Sequence, residues 1–163
     1  MTKIAVAGAQ DSLGREVLSF LEEDGIPSAD IVALDSKAPL GTMVSYGEDD
    51  ELDVFNLDDC DFNGIDIVIF ATPSALSKRF VSKALNKGAK VIDCSDAFFS
   101  ETDVPLIIAG VNDDKITEAP RGLVAIPSAP VTQMLLPLSE IHKKLSVKRI
   151  IASTYSSASI YGK

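Results

Sequence analysis

The sequence is poor in the residues that build metal centres and cross-linked scaffolds. Its one histidine, His142, rules out a multi-histidine metal site. Two cysteines, Cys60 and Cys94, supply neither a disulfide framework nor a metal-ligand spacing. No stretch approaches the ~20 apolar residues of a membrane span, and the opening Met-Thr-Lys-Ile-Ala-Val-Ala-Gly is too short an apolar run for a signal peptide. Basic residues are in deficit: 15 Lys and Arg stand against 24 Asp and Glu, a net charge of −9. Nucleic-acid and anionic-membrane binders need a basic face, so neither partner is expected. There is no internal repeat and no low-complexity segment. What these absences leave is a soluble, cytoplasmic globular protein, and 163 residues suit one domain over 1–163.

What is present is an alternation of short apolar runs with helical patterns, which points to a mostly parallel sheet flanked by helices. Strands are expected at Ile4 to Ala7, Ile31 to Leu34, Ile65 to Phe70, Lys90 to Asp93, Leu106 to Ile108 and Leu123 to Ile126, with a closing strand from Lys148 to Ser153. Met43 to Tyr46 and Leu52 to Phe55 read as paired extended pieces. The eight carboxylates from Glu48 to Asp61 are interleaved with Leu52, Val54, Phe55 and Leu57, as on a solvated strand-and-loop face.

One predicted helix carries Leu13, Val17, Phe20 and Leu21 and stops at Gly25-Ile26-Pro27. A second carries Leu76, Phe80, Val81, Ala84 and Leu85. A third, from about Thr132 to Leu145, should bury Leu135, Leu138, Ile141 and Leu145, with Pro137 tolerated if it falls in the first turn. The fold class is therefore α/β, a doubly wound, Rossmann-type sheet.

Gly8-Ala9-Gln10-Asp11-Ser12-Leu13-Gly14 joins the first strand to the first helix, where the pyrophosphate of a dinucleotide sits on backbone N–H groups. Gly8 and Gly14 supply the outer glycines of the usual three, and Asp11 takes the middle place. A carboxylate ~4 Å from a phosphate costs roughly 4 kcal/mol at an effective dielectric near 20, against ~0.3–1 kcal/mol of help from the helix dipole. Asp11 or Ser12 is also a natural helix cap, and a cap would fill the anion seat and weaken cofactor binding. Asp35 follows the second strand at 35 − 14 = 21 residues past the last glycine. That spacing fits the acid that bonds an NAD ribose, though a solvent-facing acid at a strand end is the competing reading. Ser36 and Lys37 follow, and Lys37 could meet the 2′-phosphate of NADP. Thr72, Ser74 and Ser95 either contact the cofactor or satisfy loop backbone.

Several segments in the same order and spacing make the chain resemble the aspartate-semialdehyde dehydrogenase family along essentially its whole length. They are Val6 to Gly14, Gly64 to Phe70 with Ser77-Lys78, Gly88 to Asp93, Ala97-Phe98, Asp103 to Ile107, Val111-Asn112 and Ser153-Thr154-Tyr155. The resemblance implies NAD or NADP as cofactor, and a reductive dephosphorylation of aspartyl phosphate, through a cysteine thioester, in amino-acid biosynthesis. It also implies a departure. Where the family reads Asn-Pro-Asn-Cys-Ser-Thr, this chain reads Ile126-Pro127-Ser128-Ala129-Pro130-Val131, so Ala129 falls on the cysteine. An acyl carrier has to be a thiolate, and a methyl group cannot serve.

Phe99, Gly110 and Ser156 replace, respectively, an arginine, an acid and a glutamine of the family. Its second, catalytic and dimerisation domain has no counterpart in this chain. The pattern is most similar to a cysteine-less, Usg-type branch. Two expectations of different kinds result: a catalytically silent pseudoenzyme module with its cofactor hold weakened or lost, its protein partner unknown and its state monomeric, or an NADP-dependent oxidoreductase that needs a second domain. Ser128 lacks a histidine to activate it, Cys94 is expected to be a buried inert thiol, and His142 is expected to be structural.

Overall fold

The computed structural model describes residues 2–36 and 38–155. Lys37 and Ser156, both named above, lie outside them. Seven strands form one sheet in the order β3-β4-β2-β1-β5-β6-β7. They are β1 (Ile4–Ala7), β2 (Ile31–Asp35), β3 (Met43–Tyr46), β4 (Asp50–Asn56), β5 (Ile67–Phe70), β6 (Lys90–Asp93) and β7 (Leu123–Ala125). All neighbouring pairs are parallel except the β3–β4 hairpin, whose turn carries the start of the acidic stretch.

Helix α1 (Ser12–Glu23) links β1 to β2, and α2 (Ser74–Asn86) links β5 to β6. The chain leaves β1 towards β2 on one side and later fills β5 and β6 on the other. The strand order therefore reverses beside β1, and the crevice at the carboxyl ends of β1 and β5 is the place where such sheets bind ligands.

Alternate strand residues feed two cores. Val6, Ala33, Val54 and Ile4 meet α1 through Leu18 on one face. Ala5, Ala7, Leu34, Val68 and Val91 join Phe80, Val81 and Ala84 of α2 in the other. The stripe on α1 differs from the expected one. Gly14 and Leu18 are its buried residues, whereas Leu13 and Phe20 are exposed. Gly14 has to face the sheet because α1 crosses tightly against the glycine loop, and that rotation turns Leu13 and Phe20 outwards.

Three other expectations fail at the carboxyl-terminal end. Residues 106–108 form a single bridge, Leu106 to Ala125, in place of a strand. Residues 148–153 form no strand; a strand needs a hydrogen-bonded neighbour, and β7 already gives its free side to Pro105 and Ile107. Helix α3 (Ala129–Leu145) starts a turn earlier than expected, which puts Pro137 inside it. It also buries none of its residues: Ile141 and Leu145 are exposed, and Leu135 and Leu138 are only half-buried. No helix among the described residues is long and apolar enough to cross a membrane.

Candidate dinucleotide site at the switch point

The glycine loop begins at the end of β1. Gly8 has φ +87°, a left-handed conformation that suits glycine. A Cβ there would stand 2.2 Å from the carbonyl oxygen of Ala71, and one on Gly14 would stand 1.9 Å from the carbonyl oxygen of Gly8. The two glycines let β5, the loop and α1 touch backbone to backbone, which is the packing role expected of the outer positions.

Four consecutive loop N–H groups are used internally. Those of Gly8 and Ala9 bond Leu34 O at 2.9 and 3.1 Å, and that of Asp11 bonds Gly8 O at 3.0 Å. The fourth, Gln10 N–H, donates to Asp35 Oδ2 at 3.0 Å. Among the described residues, the N–H groups of Ser12, Leu13 and Gly14 have no partner. They open the first turn of α1, where free N–H groups attract an anion.

Asp11 occupies the N-cap position with extended φ and ψ, but its side chain makes no capping bond. Ser12 already lies inside the helix. The expectation that a cap fills the anion seat is therefore corrected: the carboxylate of Asp11 is exposed and the seat is open. Asp35 is also corrected in part. It is buried, not solvent-facing, because its carboxylate is turned under the loop to hold Gln10. Burial raises its pKa first of all, and the charge of Asp11 adds to the rise. Ser36 follows as a half-buried turn residue. A groove of about 690 Å³ bordered by Leu34, Ala38, Leu40, Thr42, Phe55 and Asn56 opens on this side.

On the other side of the switch point, Thr72 follows β5 on the turn to α2. Its hydroxyl is turned inwards to Ser77 Oγ at 3.0 Å, and its methyl carbon faces Gly8. Thr72 thus satisfies a side chain, which neither sequence reading anticipated. Ser77 is joined in this buried group by Asp93 and Ser95: Ser95 donates to Asp93 Oδ2 at 2.7 Å and accepts from Ala97 N–H at 3.1 Å. Ser74 hydrogen-bonds Asp96. Ser77 and Asp93 were not singled out from sequence, although signals existed. Ser77 is a polar residue on the α2 stripe of Phe80, Val81 and Ala84, and Asp93 closes an otherwise apolar strand.

Ala129 is the first residue of α3, just beyond the end of β7, with Ser128 before it as an N-cap that makes no side-chain bond. A cavity of about 370 Å³ beside it is lined by Phe99, Leu106, Ile108, Val111, Asn112, Pro127, Ser128, Val131 and Leu135, with no basic residue. His142 is 13 residues along α3, about 20 Å by helical rise, too far to activate Ser128. Burial, helped by the charge of Asp93, pushes the Cys94 thiol up to about 11, the reverse of an activated nucleophile. The described residues hold no cluster of three or more metal-ligating side chains.

The reversed strand order, the two close-packed glycines and the open helix start define a Rossmann-type dinucleotide-binding fold. Residues 3–119 match the semialdehyde dehydrogenase NAD-binding domain, and the chain belongs to that family. The aspartate-semialdehyde dehydrogenase of Rickettsia bellii is 37% identical over 167 residues, covering 100% of this chain and 49% of that enzyme. The Legionella pneumophila enzyme is 33% identical, covering 98% of this chain and 46% of its own length. Aspartate semialdehyde dehydrogenase II of Vibrio cholerae, solved in complex with ASA, superposes with a TM-score of 0.82 at 27% identity, over 88% of this chain and 43% of that one. The chain spans about half the length of the relatives it matches.

Proposed function

We propose that this domain is the NAD(P)-binding half of an aspartate-semialdehyde dehydrogenase-like protein of the cysteine-less, Usg-type branch, and that it binds a dinucleotide without catalysing acyl reduction. The observation that carries the reading is Ala129 at the mouth of α3. That position lies at the carboxyl end of the sheet, beside a helix N-terminus that would favour a thiolate, and it holds a methyl group.

Its surroundings support the same conclusion. Phe99, Leu106, Ile108, Val111, Val131 and Leu135 make the adjacent cavity apolar, a poor environment for a phosphate or an acyl phosphate. The cofactor seat fits better. The N–H groups of Ser12, Leu13 and Gly14 would receive the pyrophosphate, beside a loop that Gly8 packs directly against the end of β5. Asp35 and Ser36 would border the adenosine ribose, with Lys37 next in sequence for a 2′-phosphate. Cytoplasmic residence, and a role without nucleic acid or membrane, belong to this proposal.

The exposed flank of α3 favours a second reading, an NADP-dependent oxidoreductase completed by another domain, since an apolar helix face is normally covered. Phosphate-dependent NADP reduction with aspartate semialdehyde separates the two, run beside fluorescence titrations with NADH and NADPH. Binding without turnover is expected. Turnover well above a no-protein control would overturn the silent reading, and absence of binding up to millimolar nucleotide would overturn the cofactor role.

A further inference from the structure

We propose that Asp93 is a positioning residue that anchors a buried hydroxyl chain, Thr72–Ser77–Asp93–Ser95, and thereby fixes the wall of the site facing the half of a dinucleotide beyond its pyrophosphate. The inference rests on the dinucleotide reading above. It starts from one atom. Asp93 is fully buried, and its Oδ1 has no hydrogen-bond partner among the described residues. An unpaired buried carboxylate oxygen costs free energy, so its retention needs an account.

Counting protons supplies one. Ser95 has a single hydroxyl proton, given to Oδ2. Thr72 and Ser77 share one hydrogen bond, and either oxygen can be the donor. Two hydroxyl protons serve that single contact, so one remains to be placed. Burial raises the pKa of Asp93, and the nearby hydroxyls of Ser77 and Ser95 oppose that rise, although no well-aligned bond from Ser77 to Oδ1 forms. A bond to an ionised acceptor is stronger than one between neutral hydroxyls. The directed order is therefore Thr72 to Ser77 to Asp93, with a small hydroxyl rotation satisfying Oδ1.

This chain adds side-chain links to three segments whose backbones already meet through Cys94 N–H to Phe70 O and Ser77 N–H to Pro73 O. Thr72 lies on the turn between β5 and α2, Ser77 on the buried stripe of α2, Asp93 at the end of β6 and Ser95 on the turn after it. Ser95 closes that turn through Ala97 N–H. The methyl group of Thr72 stands 3.2 Å from where a Cβ of Gly8 would be, which places Thr72 on the β5 flank of the switch point. Asp35 and β2 lie on the adenosine side of the switch point. The β5 and β6 ends lie on the opposite side, under whatever extends past the pyrophosphate.

The test compares the full chain with Asp93→Ala, Asp93→Asn and Ser77→Ala, titrated with NADH and with ADP, which carries adenosine and pyrophosphate only. Asp93→Ala and Ser77→Ala should weaken NADH about fivefold to tenfold, the loss of roughly one net hydrogen bond, and leave ADP unchanged. Asp93→Asn, which keeps an acceptor for Ser95 and a group able to pair with Ser77, should restore most of the loss. Equal weakening of NADH and ADP, or no change in either, would overturn the proposal while leaving dinucleotide binding intact. A native chain that binds neither ligand would remove the underlying reading as well. Should Asp93→Ala fail to fold, Ser77→Ala makes the same discrimination.

Discussion

Asp11 shows how a single side chain can set the strength of an otherwise ordinary anion seat. Because its carboxylate is exposed and caps nothing, its effect on a phosphate is screened. At ~4 Å in a water-like dielectric the repulsion is about 1 kcal/mol, well below the figure for a less hydrated pair. Asp11→Gly should therefore tighten NADH about fivefold at low salt, and the gain should shrink in 0.5 M NaCl as the charges are screened. Isothermal titration at two salt concentrations checks it; an unchanged affinity at low salt would remove Asp11 from the site. At this scale the sequence announced residues whose role depends on backbone, such as Gly8 and Gly14, because loop position and residue type define it. It did not announce Asp35 as a buried pin for Gln10, or Thr72 turned inwards. Those outcomes depend on side-chain rotamers and on partners 25 residues and five residues away.

The elements follow the same division. Strands β1, β2, β5 and β6 and helix α2 were legible because their apolar periods match the core they enter. Helix α3 has the period without the core. Its flank carries Leu135, Leu138 and Ile141 as a buried helix would, yet no residue of it is buried. Its stability therefore comes from local terms, and Pro137 acts against them. Proline has no N–H to give the Gln133 carbonyl and its ring crowds that turn, at a cost of ~3 kcal/mol in a helix interior. Pro130, at the helix start, carries little of that cost. Pro137→Ala should raise hydrogen-exchange protection across residues 133–145 and increase the helical circular dichroism. The global unfolding midpoint should hardly move, because α3 is not packed into either core. A midpoint shift as large as the local gain would mean that α3 is coupled to the sheet after all.

For the whole molecule, acidic and basic surface lie towards opposite ends of the strand order, β3–β4 and beyond β7. The acidic stretch from Glu48 to Asp61 lies on and after the β3–β4 hairpin, while Lys143, Lys144, Lys148 and Arg149 accompany the exposed Ile141, Leu145, Ile150 and Ile151. Leu145 is 77% and Ile151 88% exposed. Two forces could bring copies together, and they respond oppositely to salt. Attraction between the basic end and the acidic hairpin is lost as the Debye length falls from ~10 Å at 0.1 M to ~3 Å at 1 M. Apolar contact through α3 gains when screening reduces the repulsion of a net −9 charge and when sulfate strengthens apolar burial. The apolar term should win, because the basic side chains flank an apolar surface that water covers poorly. Sedimentation velocity should show monomers in 50 mM NaCl and a growing dimer fraction in 0.5 M sodium sulfate. Ile141→Glu with Leu145→Glu should return the protein to monomers. Association that weakens as salt rises would assign the contact to the charged ends and leave the α3 flank without a role in it.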